Sequence, residues 1–330
     1  MLKQLLTTFL CIFSIAGIKA QTVLSGLTGV PDTSYSNYSA YKKVVKRYPD
    51  IKLAAEASSP AVGERSNIPY CAIGNRTLHL DAFYPRIKSK QGYPGILIIH
   101  GGGWRSGNRS QHIPLAQRLA RQGFVCYTAE YRLSTEALYP AAVYDLKAAL
   151  RWIKAHASQF RTDTSKLVVL GFSAGGELAA FVGVTNNNPD FEQKDCNKEY
   201  SSQVQAIVDI DGTLSFVHPE SGEGNDSKSI SAATYWFGYP KKDNPELWEQ
   251  ASPLTYAGKN TPPILFLNSS VERMHAGRDD FRAILNKNGI YSEVHTFPDS
   301  PHDFCLFEPW FTPTAGYITA FLKKVFSNSH

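Results

Sequence analysis

Short runs of apolar residues alternate along this chain with segments whose apolar residues recur at helical spacing. Seven runs have the length and composition of β-strands: residues 77–84, 95–100, 124–130, 166–171, 204–210, 264–268 and 291–297. Residues 113–122 and 141–156 have the period of amphipathic helices. Residues 96–99 and 167–170 are apolar without interruption, as central parallel strands are. The alternation predicts an α/β fold with a mostly parallel sheet and helices on both faces.

Two segments depart from this alternation. Residues 21–70 are rich in Ser, Pro, Tyr and Ala with weak periodicity, and we interpret them as an N-terminal arm packed on a main domain of residues 71–330. Residues 213–262 are rich in Gly, Ser and Asn and contain Tyr-Trp-Phe at 235–237. We expect this second segment to be a small insertion that acts as a lid or a substrate platform.

The first twenty residues have the layout of a secretory signal peptide. Lys3 provides the positive start, residues 5–16 form an apolar run, and Ala20 precedes Gln21 at the expected cleavage point. The run is too short to span a bilayer comfortably. We therefore exclude residues 1–20 from the fold and expect a secreted or periplasmic protein with no membrane span.

Composition and charge exclude several classes of protein. With 43% hydrophobic and 19% charged residues, the chain can form a sizeable core and is not of the disordered type. Its net charge is +5, which falls to +3 when Lys3 and Lys19 leave with the signal peptide. With so small a charge and no long Lys/Arg run, nucleic acid binding has no support. The oligomeric state stays open.

Four cysteines remain outside the signal peptide. Cys126 lies in an apolar run and is expected to be a small buried residue. Export would permit disulfides, and the pairing of Cys71, Cys126, Cys196 and Cys305 stays open. The spacing of cysteines and histidines gives no indication of a zinc site.

Ser173 stands where a predicted strand meets a predicted helix. The sequence Gly-Phe-Ser-Ala-Gly at 171–175 follows the apolar run 167–170 and precedes a good helix start. Small neighbours allow the strained strand–turn–helix bend that exposes a serine hydroxyl, and the helix N-terminus favours developing negative charge. This context predicts a nucleophile at Ser173 rather than a structural Gly-Ser turn.

A glycine-rich turn follows the predicted strand 95–100. The sequence His-Gly-Gly-Gly-Trp begins at His100, and successive glycines let the backbone approach a ligand and aim N–H groups at it. We expect Gly102, Gly103 and Ala174, the residue after the nucleophile, to donate to an oxyanion. A turn without a ligand is the alternative. His100 is expected to hold the loop by a hydrogen bond.

A base for the nucleophile is expected near the end of the chain. His302 follows the last predicted strand in a loop before the C-terminal helix, where an imidazole can reach Ser173. His295 lies within that strand, and His275 is less well placed.

The acid that orients the base is expected after the penultimate predicted strand, 264–268. Glu272 is the first carboxylate after that strand, and we predict that it orients His302. The carboxylates that remain as alternatives are Asp211, Asp279, Asp280 and Asp303.

Four motifs, in this order, resemble the α/β-hydrolase esterase/lipase superfamily. They are HGGGW at 100–104, YRLS at 131–134, YPAAVYDLKAALRWI at 139–153 and GFSAGGELAA at 171–180, and the similarity covers roughly residues 76–325. More narrowly, the chain resembles secreted bacterial carbohydrate esterases that remove acetyl groups from pectin or xylan. The segments that carry this resemblance are NSS at 268–270, HAGRDD at 275–280 and PHDFCLFEPWF at 301–311. The acid loop of that family carries Asp where this chain has Glu272.

The resemblance implies a serine carboxylic ester hydrolase whose catalytic domain is residues 71–330. Ser173 would attack an ester carbonyl while His302 takes its proton, and Gly102, Gly103 and Ala174 would hold the oxyanion. Water would then release the acyl group. This chemistry needs no metal or organic cofactor.

Aromatic and cationic side chains are the candidates for binding a polysaccharide ester. The candidates are Trp104, Tyr235, Trp236, Phe237, Arg273, Arg278, Trp310 and Phe311. Rings can stack on sugars and guanidinium groups can pair with uronates; core packing and surface ion pairs are the alternative roles. A feruloyl esterase or a general short-chain carboxylesterase would share every motif. A serine peptidase and a non-catalytic carbohydrate-binding protein are further alternatives.

Overall fold

The fold is described from a computed structural model over residues 26–192 and 196–327, so the predicted signal peptide lies outside the described residues. Within these ranges the strands are β1 (Lys52–Leu53), β2 (Val62–Ile73), β3 (Arg76–Pro85), β4 (Tyr93–Ile99), β5 (Val125–Ala129), β6 (Thr162–Phe172), β7 (Ala206–Ile210), β8 (Ile264–Asn268), β9 (Ser292–Thr296) and β10 (Phe307–Glu308). The α-helices are α1 (Asn37–Val44), α2 (Ile113–Arg121), α3 (Ala141–Ala155), α4 (Ala157–Phe160), α5 (Ala174–Val184), α6 (Ala232–Phe237), α7 (Pro245–Gln250), α8 (Arg278–Lys287) and α9 (Phe311–Ser327). None of the helices in these ranges has the length and apolar character needed to cross a bilayer.

Eight strands form one sheet in the order β2-β3-β5-β4-β6-β7-β8-β9. The pairs β2/β3 and β3/β5 are antiparallel, and every other pair in the sheet is parallel. The seven predicted strands correspond to β3 through β9, with ends shifted by at most a few residues. The predicted helices at 113–122 and 141–156 correspond to α2 and α3. The mostly parallel α/β architecture is therefore confirmed.

β2 lies where no strand was predicted, partly inside the segment interpreted as an arm. It pairs only with β3, at the edge of the sheet, and its register shifts before Ile68 and again after Pro69. An edge strand needs fewer backbone donors, so it tolerates Pro69 and a row of exposed polar residues. These features hide the apolar alternation of a strand, and the sheet starts at Val62 rather than after residue 70.

Two apolar cores lie on opposite faces of the sheet, because successive side chains of a strand point to opposite sides. Ile96 and Ile98 of β4 pack with α2 and α9 in one core. Leu97 and Ile99 pack with α3 and α5 in the other. Burial on both faces explains why the sequence of β4 is continuously apolar.

The N-terminal arm, from residue 26, lies against the carboxyl edge of the sheet. The backbone N–H groups of Thr28 and Gly29 donate to Thr135 O, and Asp32 forms an isolated bridge with Ser106. Further along, β1 pairs antiparallel with β10. The arm therefore contacts the segment that follows the glycine turn at one end and the segment before α9 at the other.

A disulfide joins Cys71 of β2 to Cys196 in the loop beyond α5. The other two described cysteines, Cys126 and Cys305, are buried free thiols. Burial raises the pKa of the Cys126 thiol, and the predicted burial of this residue is confirmed.

Candidate active site

Ser173, His302 and the glycine turn come together with Asp211 at the carboxyl ends of the parallel strands. The glycine turn follows β4, Ser173 follows β6, and Asp211 follows β7. His302 comes from the loop after β9. In open α/β sheets this edge is where ligands bind.

Ser173 occupies a strained turn that its glycine neighbours make possible. Its backbone has φ 57° and ψ −121°, in a region that non-glycine residues rarely adopt. A Cβ atom at Gly171 would lie 1.8 Å from Gly175 O, and one at Gly175 would lie 2.3 Å from Ile99 O. The turn therefore requires glycine at both positions, as the nucleophile-elbow interpretation demands.

A chain of two hydrogen bonds links Ser173, His302 and Asp211. The Ser173 Oγ lies 2.8 Å from His302 Nε2, and His302 Nδ1 lies 2.7 Å from Asp211 Oδ2. A carboxylate only accepts, so Nδ1 carries the hydrogen and Nε2 is left to accept from the serine hydroxyl. This is the arrangement of a nucleophile, a base and an orienting acid.

Asp211 is held rigidly in a fully buried position. Its Oδ1 accepts a hydrogen bond of 2.9 Å from the backbone N–H of Ser269, and its Oδ2 accepts one from the Ser269 hydroxyl. Its own N–H donates to Leu267 O in β8. The end of β8 therefore supports the acid.

The prediction that Glu272 orients the base is wrong. Glu272 is exposed at the start of a 3₁₀ helix, Glu272–His275, and both ring nitrogens of His302 are bonded to other residues. The physical reason is that Ser269, the first residue after β8, turns its donors onto Asp211. The acid therefore comes from β7, one strand earlier than expected.

The remaining alternatives for the acid have other partners. Asp279 pairs with Arg278, and Asp280 lies 3.4 Å from His218. Asp303, although adjacent to His302 in sequence, accepts a hydrogen bond from the hydroxyl of Tyr35 in the arm.

The glycine turn presents unpaired backbone donors beside Ser173. Gly102 and Gly103 have φ of +129° and +62°, and a Cβ atom at Gly102 would lie 1.8 Å from Ser106 O. No acceptor among the described residues takes the N–H groups of these two glycines. The N–H of Ala174, the first residue of α5, also has no partner within its helix. These are the donors that the sequence assigns to the oxyanion.

His100 holds the glycine turn as expected. It is buried, its Nδ1 lies 2.8 Å from Gly101 O, and its ring stacks on Tyr131. Burial lowers the pKa of His100 to about 4, so the imidazole is neutral at neutral pH.

Trp104 and Trp236 do not form an exposed sugar platform, which corrects that prediction. Their side chains are 4% and 0% exposed, and their rings stack on each other 5.0 Å apart. Phe237 is buried in the same cluster. The insertion is therefore anchored to the glycine turn by aromatic packing. Burying these large rings against one another removes their apolar surface from water, which stabilises the contact.

The other aromatic candidates are distributed over different places. Tyr235 is partly exposed, with the Arg105 guanidinium 4.5 Å from its ring centroid. Trp310 packs edge-on against Tyr48 of the arm, and Phe311 is buried.

Arg273 and Arg278 lie together on a polar cavity of about 420 Å³. Arg278 donates to Asn268 Oδ1 and to Asp279, whereas Arg273 is exposed. The cavity is also lined by Glu220, Glu272, His275 and Asp279. Acidic and basic side chains both line this cavity, so the two arginines do not form a purely cationic site. No cluster of three or more potential metal ligands occurs in the described ranges.

Sequence reasoning missed two buried carboxyl groups beneath the turn. Glu177 Oε2 accepts a 2.8 Å hydrogen bond from the indole N–H of Trp104, and Asp209 accepts one from the N–H of Gly212. Burial raises the pKa of both carboxyl groups well above their usual range. The available signal was an acid inside each of two otherwise apolar segments, 174–184 and 206–210.

Solved structures share this architecture. A truncated form of a carbohydrate esterase from gut microbiota superposes with a TM-score of 0.64 and 22% identity, over 82% of this chain and all of that one. The fold is thus that of the α/β-hydrolases, as the sequence motifs imply.

Two curated relatives from Mycobacterium tuberculosis align over most of this chain. Esterase LipC is 30% identical over 245 residues, which are 70% of this chain and 58% of LipC. The probable carboxylic ester hydrolase LipM is 29% identical over 270 residues, which are 77% of this chain and 60% of LipM. The chain therefore spans less than two thirds of the length of either relative.

A family model identifies the family to which this chain belongs. The model described as BD-FAE matches residues 80–274, which include the glycine turn, Ser173 and Asp211. Because the match covers more than half of the 330 residues, we conclude that this chain belongs to the BD-FAE family.

Proposed function

We propose that this protein is a serine carboxylic ester hydrolase that removes acetyl groups from a plant cell-wall polysaccharide, pectin or xylan. The observation that carries the proposal is the hydrogen-bonded chain from Ser173 through His302 to Asp211, set beside unpaired backbone donors. A structural serine turn would need none of these partners. The esterase names of LipC and LipM support the same class of reaction.

In this mechanism Ser173 Oγ attacks the ester carbonyl carbon while His302 Nε2 takes the hydroxyl proton. The carbonyl oxygen becomes negative and accepts hydrogen bonds from the N–H groups of Gly102, Gly103 and Ala174. His302 then gives its proton to the leaving alcohol, and an acyl group stays on the serine. Water, activated by the same imidazole, releases the acid. Asp211 stabilises the imidazolium in each half of the cycle.

Close packing beside the glycine turn favours a small acyl group. A Cβ atom at Gly103 would lie 3.0 Å from the Cβ of Ala232, so the start of α6 sits directly against the turn. The stacked pair Trp104 and Trp236 fills the space behind it. An acetyl group suits such a site better than a feruloyl group.

We also propose that the protein is exported, by secretion or to a periplasm. The disulfide between Cys71 and Cys196 supports this, because disulfides persist in oxidising compartments. Export also suits a polymeric substrate that is too large to enter a cell.

The test is to measure acetate, methanol and ferulate released from acetylated pectin, acetylated xylan and feruloylated xylan. We expect acetate release by the wild type and none above background by Ser173→Ala. Labelling by a fluorophosphonate probe, lost in the same variant, would separate an enzyme from a sugar-binding protein. Release of ferulate or longer acyl groups without acetate would refute acetyl specificity.

A further inference from the structure

Helix α1 and the turn after it carry four exposed cations with no carboxylate partner. We refer to Lys42, Lys43, Lys46 and Arg47, in α1 and the turn after it, as the basic strip. All four side chains are exposed, and none forms an ion pair with any carboxylate of the described residues. Four cations within six residues, none of them neutralised by an ion pair, make the basic strip a local excess of positive charge.

Tyrosine rings lie between these cations. The Lys43 Nζ is 5.6 Å from the ring centroid of Tyr35, and the Arg47 guanidinium is 5.4 Å from that of Tyr48. Tyr38 is 62% exposed. The strip therefore combines positive charge with accessible aromatic faces, the pairing that suits a chain of acidic sugars.

The helix that carries the basic strip is anchored to the segment that follows His302. The Tyr35 hydroxyl donates a hydrogen bond to Asp303, the residue next to His302. The Tyr41 ring packs edge-on against Phe307, on the same segment. At 1.5 Å per residue, the eight residues of α1 extend about 12 Å from this anchor. A polymer whose ester reaches Ser173 can thus continue along α1.

We propose that the basic strip binds the carboxylates of a polyuronate chain and so presents acidic polysaccharide esters to Ser173. This inference rests on the proposed function and narrows its substrate to the acidic polymer. An anionic membrane is a poorer partner, because interfacial helices insert an apolar face. Here the aliphatic residues of α1 face inward: Ala40 is fully buried, and Val44 packs against the core.

Binding is tested without hydrolysis in the Ser173→Ala protein, using unesterified polygalacturonate. We expect replacement of all four residues of the basic strip by Gln to weaken binding roughly tenfold at low salt, and added salt to weaken the binding of the unreplaced protein. The matched control is the double variant Lys88→Gln and Lys90→Gln. These two exposed lysines lie in the loop before β4, at the amino ends of the parallel strands, whereas the active site is at the carboxyl ends. The control should bind within twofold of the parent.

Catalysis gives the second readout. In the active enzyme, the strip replacement should raise KM for acetylated polygalacturonate, with kcat for p-nitrophenyl acetate and KM for neutral acetylated xylan unchanged. Unchanged kcat also shows that the variant is folded. Equal binding of polygalacturonate by parent and strip variant would overturn the inference, as would binding of phosphatidylserine vesicles without binding of polygalacturonate. If polygalacturonate binds through the strip but no acetate is released, the proposed function fails and the binding surface stands.

Discussion

Replacement of Asp211 by Asn gives the sharpest test of the catalytic geometry. The N–H of Ser269 donates to Oδ1, so the amide oxygen of an asparagine is held at that position. The amide nitrogen then takes the place of Oδ2, which lies 2.7 Å from His302 Nδ1. A donor there forces Nδ1 to accept and moves the ring hydrogen to Nε2. His302 then cannot accept the Ser173 proton.

The size of the effect follows from that change of tautomer. In serine hydrolases, the equivalent substitution or deletion of the acid lowers kcat by about 10⁴-fold. At about 1.4 kcal/mol per factor of ten, this is a loss of roughly 5 to 6 kcal/mol of transition-state stabilisation. Residual activity should exceed the uncatalysed rate, because the glycine donors remain.

The assay is kcat and KM for p-nitrophenyl acetate, with Glu272→Gln as the matched control. Because Glu272 is exposed and contributes nothing to the bonded chain, we expect its variant to stay within twofold of wild type. Thermal unfolding should show that both variants fold. A loss below tenfold in Asp211→Asn, or a large loss in Glu272→Gln, would refute the assignment.

Three further predictions concern buried groups. Glu177→Gln should keep kcat within about threefold, because burial raises the pKa of the carboxyl group and so favours the neutral form that Gln resembles. Glu177→Leu should leave the Trp104 N–H unpaired and lower the unfolding free energy by roughly 1–3 kcal/mol in urea titrations. Replacing Cys71 and Cys196 by Ser should lower the free energy of unfolding by roughly 3–5 kcal/mol, because the disulfide closes a loop with a sequence separation of 125. An unchanged midpoint of urea unfolding would contradict this. Burial lowers the pKa of His112 to about 3, so below pH 6.5 the unfolded chain binds a proton that the folded chain does not. Between pH 6.5 and 5 this should cost about 1.6 kcal/mol of stability, because the slope reaches its full value of about 1.4 kcal/mol per pH unit only well below pH 6.5. Urea titrations should show that His112→Gln removes this part of the pH dependence.

Local signals were sufficient for the nucleophile and its donors. The requirement for glycine at 171 and 175 arises within a few residues of Ser173, and the same holds for the turn at 101–103. The strands of the parallel sheet were also predictable, because burial on both faces leaves a continuous apolar run.

The sequence could not identify the acid, because its position depends on contacts between residues that are far apart in the chain. Asp211 and His302 are 91 residues apart, and their meeting depends on which strand end lies nearest the loop after β9. Whether the acid comes from the end of β7 or of β8 depends on Ser269, because its N–H and hydroxyl groups hold the carboxylate of Asp211 in place. Likewise, nothing in the spacing of Trp236 distinguishes a ring on the surface from one stacked on Trp104.

The position of Asp211 at the end of β7 has a consequence for engineering. The segment Glu272–His275 contributes no atom to the bonded chain from Ser173, yet it borders the polar cavity of about 420 Å³. If Ser269 is kept, this segment can be randomised in a library without touching the groups that break the ester. A screen of variants at 272–275 can therefore change the lining of this cavity while the hydrogen bonds among Ser173, His302 and Asp211 stay in place.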